Sequence, residues 1–163
     1  MPMNAKKPAK TGGDARSSAV PDDGADSLSV GYLTRYSHRA FVKALADELE
    51  PHGILTAQWS VLRILWDIEG LTQVELAERM RVEKASLTGV LEGMERRGLI
   101  IRERNAEDRR KINITLTAQG RRLKPQLLPH AARINRKATR GMTEAETLEL
   151  RRLLEKVIQN LER

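Results

Sequence analysis

The sequence contains no cysteine in its 163 residues, and this absence excludes disulfide bonds, thiolate metal sites and a cysteine redox switch. Long apolar runs are missing too, because no stretch approaches the roughly 18 residues that would span a bilayer. The basic residues near the N-terminus are not followed by an apolar segment, as they would be in a signal peptide. We therefore expect a cytoplasmic protein without a membrane partner.

Recognisable catalytic groups are absent as well. The histidines His38, His52 and His130 are scattered along the chain, and no glycine-rich loop of the phosphate-binding type is present. The sequence therefore offers no recognisable nucleophile, metal-ligand set or cofactor motif. We predict a protein that is not an enzyme and that uses neither a cofactor nor a metal.

Positive charge is present in excess. The chain carries 29 Lys and Arg against 22 Asp and Glu, which gives a formal net charge of +7 and a pI near 10.0. Nucleic acid is the commonest acidic partner of such a protein. Residues 1–27 have almost nothing to bury, so we expect a disordered tail. The alternative is a basic arm that touches DNA phosphates through Lys6, Lys7 and Lys10.

Helical periodicity begins directly after this tail. Residues 28–50 are predicted to form a helix that Pro51 and Gly53 stop. Residues 57–68 are predicted to form a second helix with Thr56 as its N-cap.

Two shorter helices follow, separated by a tight turn. The stretch "TQVE", residues 72–75, is a capping box and predicts a helix that ends near Met80. The next helix ends at "RRG", where Gly98 suits the left-handed cap. Its inner face carries apolar residues at helical spacing: Leu87, Val90, Leu91 and Met94.

The stretch "NAEDRRKINITLT", residues 105–117, combines a charged loop with strict alternation of apolar and polar residues. The alternation predicts a strand with one buried face, formed by Ile112, Ile114 and Leu116. With a second strand at residues 99–104 it makes an antiparallel hairpin. The loop at its tip carries three charged residues: Asp108, Arg109 and Arg110.

Two further helices complete the chain. Thr117 starts a helix that runs to about Arg140, and Pro125 and Pro129 should bend or break it because each lacks a backbone donor. A second capping box at Thr143 starts the last helix. That helix has an apolar stripe wider than a solvent-facing helix needs: Leu150, Leu153, Leu154, Val157, Ile158 and Leu161.

The order of a short capped helix, a turn, a second helix and a hairpin is that of a winged helix-turn-helix, in which the second helix enters the major groove of DNA. The predicted fold class is therefore mainly α with a small β-hairpin wing (α+β). The hairpin would hold its charged loop beside the recognition helix, where arginines reach phosphates or the minor groove.

Small residues line the outward face of this recognition helix. Ala85, Gly89 and Gly93 recur at every fourth position, although a helical glycine costs roughly 1 kcal/mol relative to alanine. Close approach to the wall of a DNA groove would explain the glycines, and drift at a tolerant site is the alternative. The residues expected to contact DNA here are Thr72, Gln73, Lys84, Ser86, Thr88 and Gly89.

These segments resemble the MarR family (multiple antibiotic resistance regulators) of bacterial winged-helix transcription factors over about residues 28–161. The most specific element is the family's wing signature, which stands here as "DRRKINITLT", residues 108–117. "LTAQWSVLRIL", "LTQVELAERM" and "EKASLTGVLEGMERRGLI" are similar to the family's second to fourth helices.

The resemblance implies roles for the wing residues. Arg110 would enter the minor groove, Asp108 would brace the wing, and Arg109 would contact a phosphate. The family often has arginine where this chain has Gly89. Specificity would then rest more on Lys84, on the hydroxyl-bearing residues of the recognition helix and on DNA shape.

A homodimer is implied as well, with residues 28–55 as an N-terminal dimerisation helix and residues 118–163 as C-terminal dimerisation helices around a DNA-binding domain at 56–117. The wide apolar stripe of the last helix favours this arrangement independently, and packing within one subunit is the alternative. A symmetric dimer predicts a palindromic operator with recognition helices about 34 Å apart.

Aromatic and basic residues near the start of the chain suggest a sensor. Aromatic rings beside guanidinium groups suit an aromatic anion, and similar proteins bind phenolic acids or their coenzyme A thioesters. The expected effector-binding residues are Tyr32, Arg35, Tyr36, His38, Arg39, Trp59, Arg63 and Trp66. The alternative is that the tryptophans are core residues and the arginines form surface ion pairs.

The sequence thus predicts a ligand-responsive repressor that binds double-stranded DNA. A winged helix used only to bind other proteins is the alternative, against which the basic wing loop argues.

Overall fold

The structure is a computed structural model that describes residues 29–162. These residues fall into two units, one up to Tyr36 and one from Ser37 onward, and each is described by itself. The tail expected at residues 1–27 lies outside the described residues. Along the chain the elements are α1 (Val30–Leu49), a 3-10 turn (Glu50–His52), α2 (Thr56–Leu65), β1 (Leu71–Thr72), α3 (Gln73–Met80), α4 (Lys84–Arg96), β2 (Ile100–Arg104), β3 (Ile112–Leu116), α5 (Ala118–Ala138) and α6 (Glu144–Leu161). Within residues 29–162, no helix combines the length and the hydropathy that crossing a membrane requires.

Strand β3 lies in the middle of an antiparallel sheet whose strand order is β1-β3-β2. Ile114 pairs with Leu71 on one side and with Arg102 on the other. The predicted hairpin of β2 and β3 is confirmed, whereas the sequence did not predict β1, because two residues are too few to show an alternating pattern. Through β1, the wing is joined to the residues that begin α3.

The buried face of β3 is shorter than the sequence pattern suggests. Ile114 and Leu116 are each 1% exposed, but Ile112 is 50% exposed. The prediction that Ile112 is buried is therefore wrong. Ile112 pairs with Arg104 at the last position before the hairpin tip, and it lies outside the apolar cluster that α2, α3, α4 and α5 form over the sheet.

Side-chain caps fix most of the helix starts. The predicted capping boxes are confirmed at Thr72, whose hydroxyl accepts from Glu75 N at 3.3 Å, and at Thr143, whose hydroxyl accepts from Glu146 N at 3.2 Å. The cap predicted at Thr56 is wrong, because Thr56 is already the first helical residue of α2. Gln58 Oε1 instead accepts from the backbone N–H of Leu55 at 3.2 Å.

Helix α5 runs through both prolines without the break that the sequence suggested as one outcome. Pro125 and Pro129 are exposed, so water can solvate the backbone carbonyls that their missing N–H groups leave unpaired. The opposite face of α5 packs on the core through the fully buried Leu127. In addition, Trp66 Nε1 donates to Gly120 O at 3.0 Å, which fixes the first turn of the helix.

A polar cluster joins the end of α1 to α5. Glu48 accepts hydrogen bonds from the Arg133 guanidinium, and His130 Nδ1 lies 2.6 Å from Glu48 Oε2. His130 Nε2 lies 3.0 Å from Nε2 of His52 in the 3-10 turn. The hydrogen bonds from Arg133 first, and from His130 second, lower the pKa of Glu48 to about 2.

The lowered pKa predicts that the charged Glu48 stabilises the fold above pH 4.5, the ordinary value for a glutamate, and that this contribution is lost as the pH falls toward 2. Replacing Glu48 by Gln should therefore lower the free energy of unfolding near neutral pH, and the difference from the parent chain should shrink at acid pH. Denaturant titrations at a series of pH values measure this difference.

The matched control is the same substitution made in an Arg133→Gln background, where the principal partner is already gone. There the effect of Glu48→Gln should be smaller at every pH. A difference between parent and Glu48→Gln that stays constant from neutral to acid pH would contradict the proposed contribution of this cluster.

Candidate nucleic-acid interface

The turn between α3 and α4 is closed by a residue in the left-handed conformation. Arg81 has a φ of 55° and is the one non-glycine residue with a positive φ in the described part of the chain. The backbone N–H of Val82 donates back to Ala77 O at 3.1 Å, which ends α3. The Arg81 side chain forms an ion pair with Glu162. The chain thus passes directly from α3 into α4, as a helix-turn-helix requires.

Helix α4 has a buried face and an exposed face, as predicted. Leu87, Leu91 and Met94 are buried. Gly89 lies on the exposed face, where an added Cβ would meet no atom within 4 Å. The fold therefore does not require glycine at this position. The exposed residues of α4 near its start are Lys84, Ala85, Ser86, Thr88 and Gly89.

Polar groups at the start of α3 are engaged within the protein. The Thr72 hydroxyl donates to Glu75 Oε2 at 2.8 Å, so its proton is used in the capping box. Gln73 Nε2 donates to Lys84 O at 3.0 Å and to Thr88 Oγ1 at 3.1 Å. Gln73, a predicted DNA-contact residue, therefore also ties α3 to α4. The sequence does not indicate this role of Gln73, because its partners lie in another helix.

The wing tip is organised by side-chain hydrogen bonds. Asn105 Oδ1 accepts from the backbone N–H groups of Glu107 at 2.8 Å and Asp108 at 2.9 Å. Asp108 Oδ1 accepts from Arg110 Nε at 3.2 Å and from Arg110 N at 3.1 Å. These two hydrogen bonds, the side-chain bond first, lower the pKa of Asp108. Asp108 therefore orients Arg110, whose side chain is 90% exposed.

Asn105 is a residue that the sequence reading missed, although a signal for it was present. Asparagine at the start of a loop commonly accepts a hydrogen bond from a backbone N–H two residues on. Arg109, which follows Asp108 in the same loop, is exposed to solvent.

An ion pair fixes the wing relative to the recognition helix. Arg102 on β2 donates to Glu95 on α4 through Nε at 2.9 Å and through Nη2 at 2.5 Å. The hydrogen bond from Arg102 lowers the pKa of Glu95. This paired geometry restricts the guanidinium more than a single contact would. The sequence does not single out this pair either. Charged residues make up 31% of the chain, and no spacing rule joins a residue of α4 to a residue of β2.

A cleft of about 470 Å³ brings the start of α3, the start of α4 and the wing together. Its basic residues come from two elements, with Lys84 on α4 and both Arg110 and Lys111 on the wing. The complete lining is Thr72, Gln73, Val74, Glu75, Glu78, Lys84, Arg110, Lys111 and Ile112. Four of the predicted DNA-contact residues thus share one concave surface.

The predicted effector residues fall in both units. In the first unit, Tyr32 and Tyr36 stack with ring centroids 4.3 Å apart, and the guanidinium of Arg35 lies 5.2 Å from the centre of the Tyr36 ring. His38 and Arg39 lie in the part of α1 that belongs to the second unit, and both are exposed.

The tryptophans of the second unit pack as core residues. Trp59 is 7% exposed and meets Trp66 edge-on, with ring centroids 5.6 Å apart. Arg63 forms an ion pair with Asp67 at 3.9 Å. These are the contacts that the alternative interpretation of Trp59, Arg63 and Trp66 describes.

Comparison with known proteins gives a consistent result. The family model described as MarR family matches residues 54–112. The homoprotocatechuate degradative operon repressor of Escherichia coli is 30% identical over 133 residues, which are 82% of this chain and 88% of the relative. Two other curated relatives, 38% and 37% identical, align over about half of their own length.

Solved structures extend the similarity over most of the chain. BpsR of Bordetella bronchiseptica, whose DNA binding is regulated by 6-hydroxynicotinic acid, superposes with a TM-score of 0.76 at 28% identity, covering 82% of this chain and 95% of that one. CouR of Rhodococcus jostii RHA1, bound to p-coumaroyl-CoA, superposes with a TM-score of 0.72 at 25% identity, covering 80% and 92% of the two chains.

The hydrogen bonds at the wing tip make a prediction about backbone protection. Replacing Asn105 by Ala removes the acceptor of two backbone N–H groups, so amide hydrogen exchange at Glu107 and Asp108 should become several-fold faster. Exchange at Ile114, in the paired strand, should not change. Replacing Asn105 by Asp retains an accepting oxygen and is the matched control. Equal exchange at the two tip amides in the parent chain and in the alanine variant would show that this turn is not formed in solution.

Proposed function

The chain belongs to the MarR family, and we propose that it is a transcriptional repressor that binds double-stranded operator DNA as a homodimer and is released by a small aromatic anion. The observation that carries the DNA part is the cleft that Lys84 of α4 and Arg110 of the wing both line. Helix α4 would read the major groove, while the wing reaches the adjacent backbone or minor groove.

The two elements would contribute differently to DNA binding. Arg110 is held by Asp108 through Nε, which leaves its terminal nitrogens to enter the minor groove. Asp108 braces the loop, and Arg109 contacts a phosphate. Gly89 lets the exposed face of α4 approach the groove wall closely, since the fold itself leaves that position open. The full proposed contact set is Thr72, Gln73, Lys84, Ser86, Thr88, Gly89, Asp108, Arg109 and Arg110.

Dimerisation would account for the apolar surface of the terminal helices. Helix α6 has no buried residue, even though it carries an apolar stripe. Within that stripe Leu150, Leu153, Leu154 and Ile158 are between 38% and 45% exposed. Phe41 on α1 is 42% exposed. A contiguous apolar stripe on a helix marks an interaction surface. We assign residues 28–55 and 118–163 to the dimer interface around a DNA-binding domain at 56–117, and sedimentation as a monomer at micromolar concentration would refute this assignment.

Two-fold symmetry of this dimer would place the recognition helices about 34 Å apart and would match a palindromic operator. An effector that binds more tightly to a dimer with a different spacing of these helices would lower the affinity for DNA. The coupling is reciprocal, so DNA would lower the affinity for the effector by the same factor.

An aromatic carboxylate or its coenzyme A thioester is the proposed effector class. Support comes from the relatives, since BpsR responds to 6-hydroxynicotinic acid and CouR binds p-coumaroyl-CoA. The stacked tyrosines and the Arg35 guanidinium supply planar and cationic surfaces for such a ligand. The full proposed set is Tyr32, Arg35, Tyr36, His38, Arg39, Trp59, Arg63 and Trp66.

Replacing Arg110 by Ala should weaken binding to the duplex upstream of the protein's own gene by about 10- to 100-fold, because a charge-assisted contact is lost from each subunit. The fold should be intact, since Arg110 is 90% exposed. Fluorescence anisotropy at several salt concentrations measures the affinity. Arg79→Ala, the same change at an exposed residue of α3 outside the proposed contact set and outside the dimer helices, is the control and should bind like the parent chain. Failure of the parent chain to associate with this duplex at low ionic strength would favour a protein-binding module instead.

The effector assignment predicts a response to a panel of phenolic acids and their coenzyme A thioesters. At least one of them should raise the melting temperature of the protein and release it from DNA at the same concentration, because both effects arise from one binding equilibrium. Thermal shift and anisotropy measure the two effects. Aliphatic acids of similar size are the control. No response to any aromatic compound would remove the effector assignment and leave the DNA-binding proposal intact.

A further inference from the structure

Two hydroxyl groups on the exposed face of α4 differ in whether their proton is free to bind a partner outside the protein. Ser86 uses its proton inside the protein, whereas Thr88 uses its oxygen. We infer that Thr88 donates to an acceptor atom of a base in the major groove, and that Ser86 accepts from an exocyclic amine. This inference rests on the proposed DNA-binding function and deepens it, because it states what kind of atom each residue reads.

Ser86 is restricted to accepting. Its hydroxyl donates to Glu83 O at 2.7 Å, and a serine hydroxyl has a single proton. What it can offer a partner is an oxygen lone pair. In the major groove, the amines of adenine and cytosine are the hydrogen-bond donors. A phosphate oxygen accepts only, so Ser86 could contact phosphate only by giving up its bond to Glu83.

Thr88 is oriented the other way by Gln73. Gln73 Nε2 donates to Thr88 Oγ1 at 3.1 Å and to Lys84 O at 3.0 Å, which uses both hydrogens of the amide. A helical serine or threonine commonly donates to the carbonyl four residues earlier. Ser60, Thr139 and Thr147 do so in this chain.

The Thr88 hydroxyl differs from those three hydroxyls. Within residues 29–162 it accepts a hydrogen bond from Gln73 and donates none. The carbonyl that it would use is that of Lys84, which accepts from Gln73 instead. The Thr88 proton is therefore available to a partner outside the protein. The major-groove acceptors are N7 of either purine, O6 of guanine and O4 of thymine.

Gln73 is a positioning residue in this scheme. With both amide hydrogens engaged, it offers DNA only its carbonyl oxygen, and its main effect is to occupy the Lys84 carbonyl so that the Thr88 proton is available to a partner. Because residues two apart on a helix do not face each other, Ser86 and Thr88 would address different bases.

The inference is tested by selecting bound sequences from a pool of random duplexes with the full-length chain and its variants. The isosteric change Thr88→Val should relax base preference at one position of each half-site, and Ser86→Ala should relax it at a different position. Thr88→Ser keeps the hydroxyl and should keep the preference of the parent chain. Circular dichroism melts confirm that each variant is folded.

Base analogues then identify the atom that is read. At the position relaxed by Thr88→Val, a 7-deazapurine, which lacks the N7 acceptor, or a 4-thiothymine, which weakens the O4 acceptor, should lower the affinity of the parent chain by roughly 2- to 10-fold. The Thr88→Val variant should be insensitive to the same analogue. At the position relaxed by Ser86→Ala, a base lacking the exocyclic amine should have the corresponding effect on the parent chain.

Gln73→Leu separates positioning from simple support of the fold. Without Gln73, the Lys84 carbonyl can accept from the Thr88 hydroxyl, so the Thr88 proton is no longer reserved for a base and preference should broaden at the position that Thr88 reads. A purely structural role would instead weaken binding to all sequences equally, and that result would overturn the role of Gln73.

The remaining outcomes are distinguishable. If the parent chain selects an operator but neither Thr88→Val nor Ser86→Ala changes the preference, the inference is wrong and the DNA-binding function stands. If the analogues show the reverse polarity at the two positions, the inference is also wrong. If the parent chain selects no sequence, the proposed function fails and the inference fails with it.

Discussion

The burial of one end of β3 is the constraint on which the candidate interface depends. Ile114 and Leu116 are each 1% exposed, and Ile114 is paired on both sides, with Leu71 and with Arg102. A slip of one residue would turn both side chains to the solvent face, at a cost of about 1.5–3 kcal/mol for each. The register therefore fixes where the wing tip stands relative to the start of α3. Arg102 adds a second constraint, since its ion pair with Glu95 joins the same ladder to α4.

The basic residues divide into those that hold the fold together and those that face outward. Arg97 donates to Gly53 O and to Gln58, Arg102 is paired with Glu95, and Arg133 is paired with Glu48. Arg110, in contrast, has a side chain that is 90% exposed, and within residues 29–162 it is held only by its neighbour Asp108. A net positive charge alone thus overstates the number of groups available to an acidic partner. Which arginines already have a partner within the protein is thus more informative than the excess of charge. It favours the wing as the surface that contacts an acidic partner.

Local interactions explain what the sequence predicted well. The capping boxes at Thr72 and Thr143 bond residues only three positions apart, so their letters suffice to locate α3 and α6. The exposure of Ile112 depends on how far the helices extend over the sheet, which alternation cannot reveal. The bonds from Gln73 to Lys84 and Thr88 join residues 11 and 15 positions apart, and no spacing rule indicates them. Helix α5 continues through Pro125 because its packing on the core outweighs one lost backbone hydrogen bond.

On the proposed function, specificity and release reside in different parts of the molecule. The polarity of the hydroxyls on α4 is set by Glu83 and Gln73, which lie within the helix-turn-helix itself. The distance between two recognition helices depends instead on the helices outside it, where Glu48 and Arg133 join α1 to α5. An effector that changes this distance weakens phosphate contacts on every operator, since those contacts position the protein without reading sequence. Such an effector would leave the order of preference among bases unchanged, because the hydrogen bonds that orient Ser86 and Thr88 do not pass through the dimer helices.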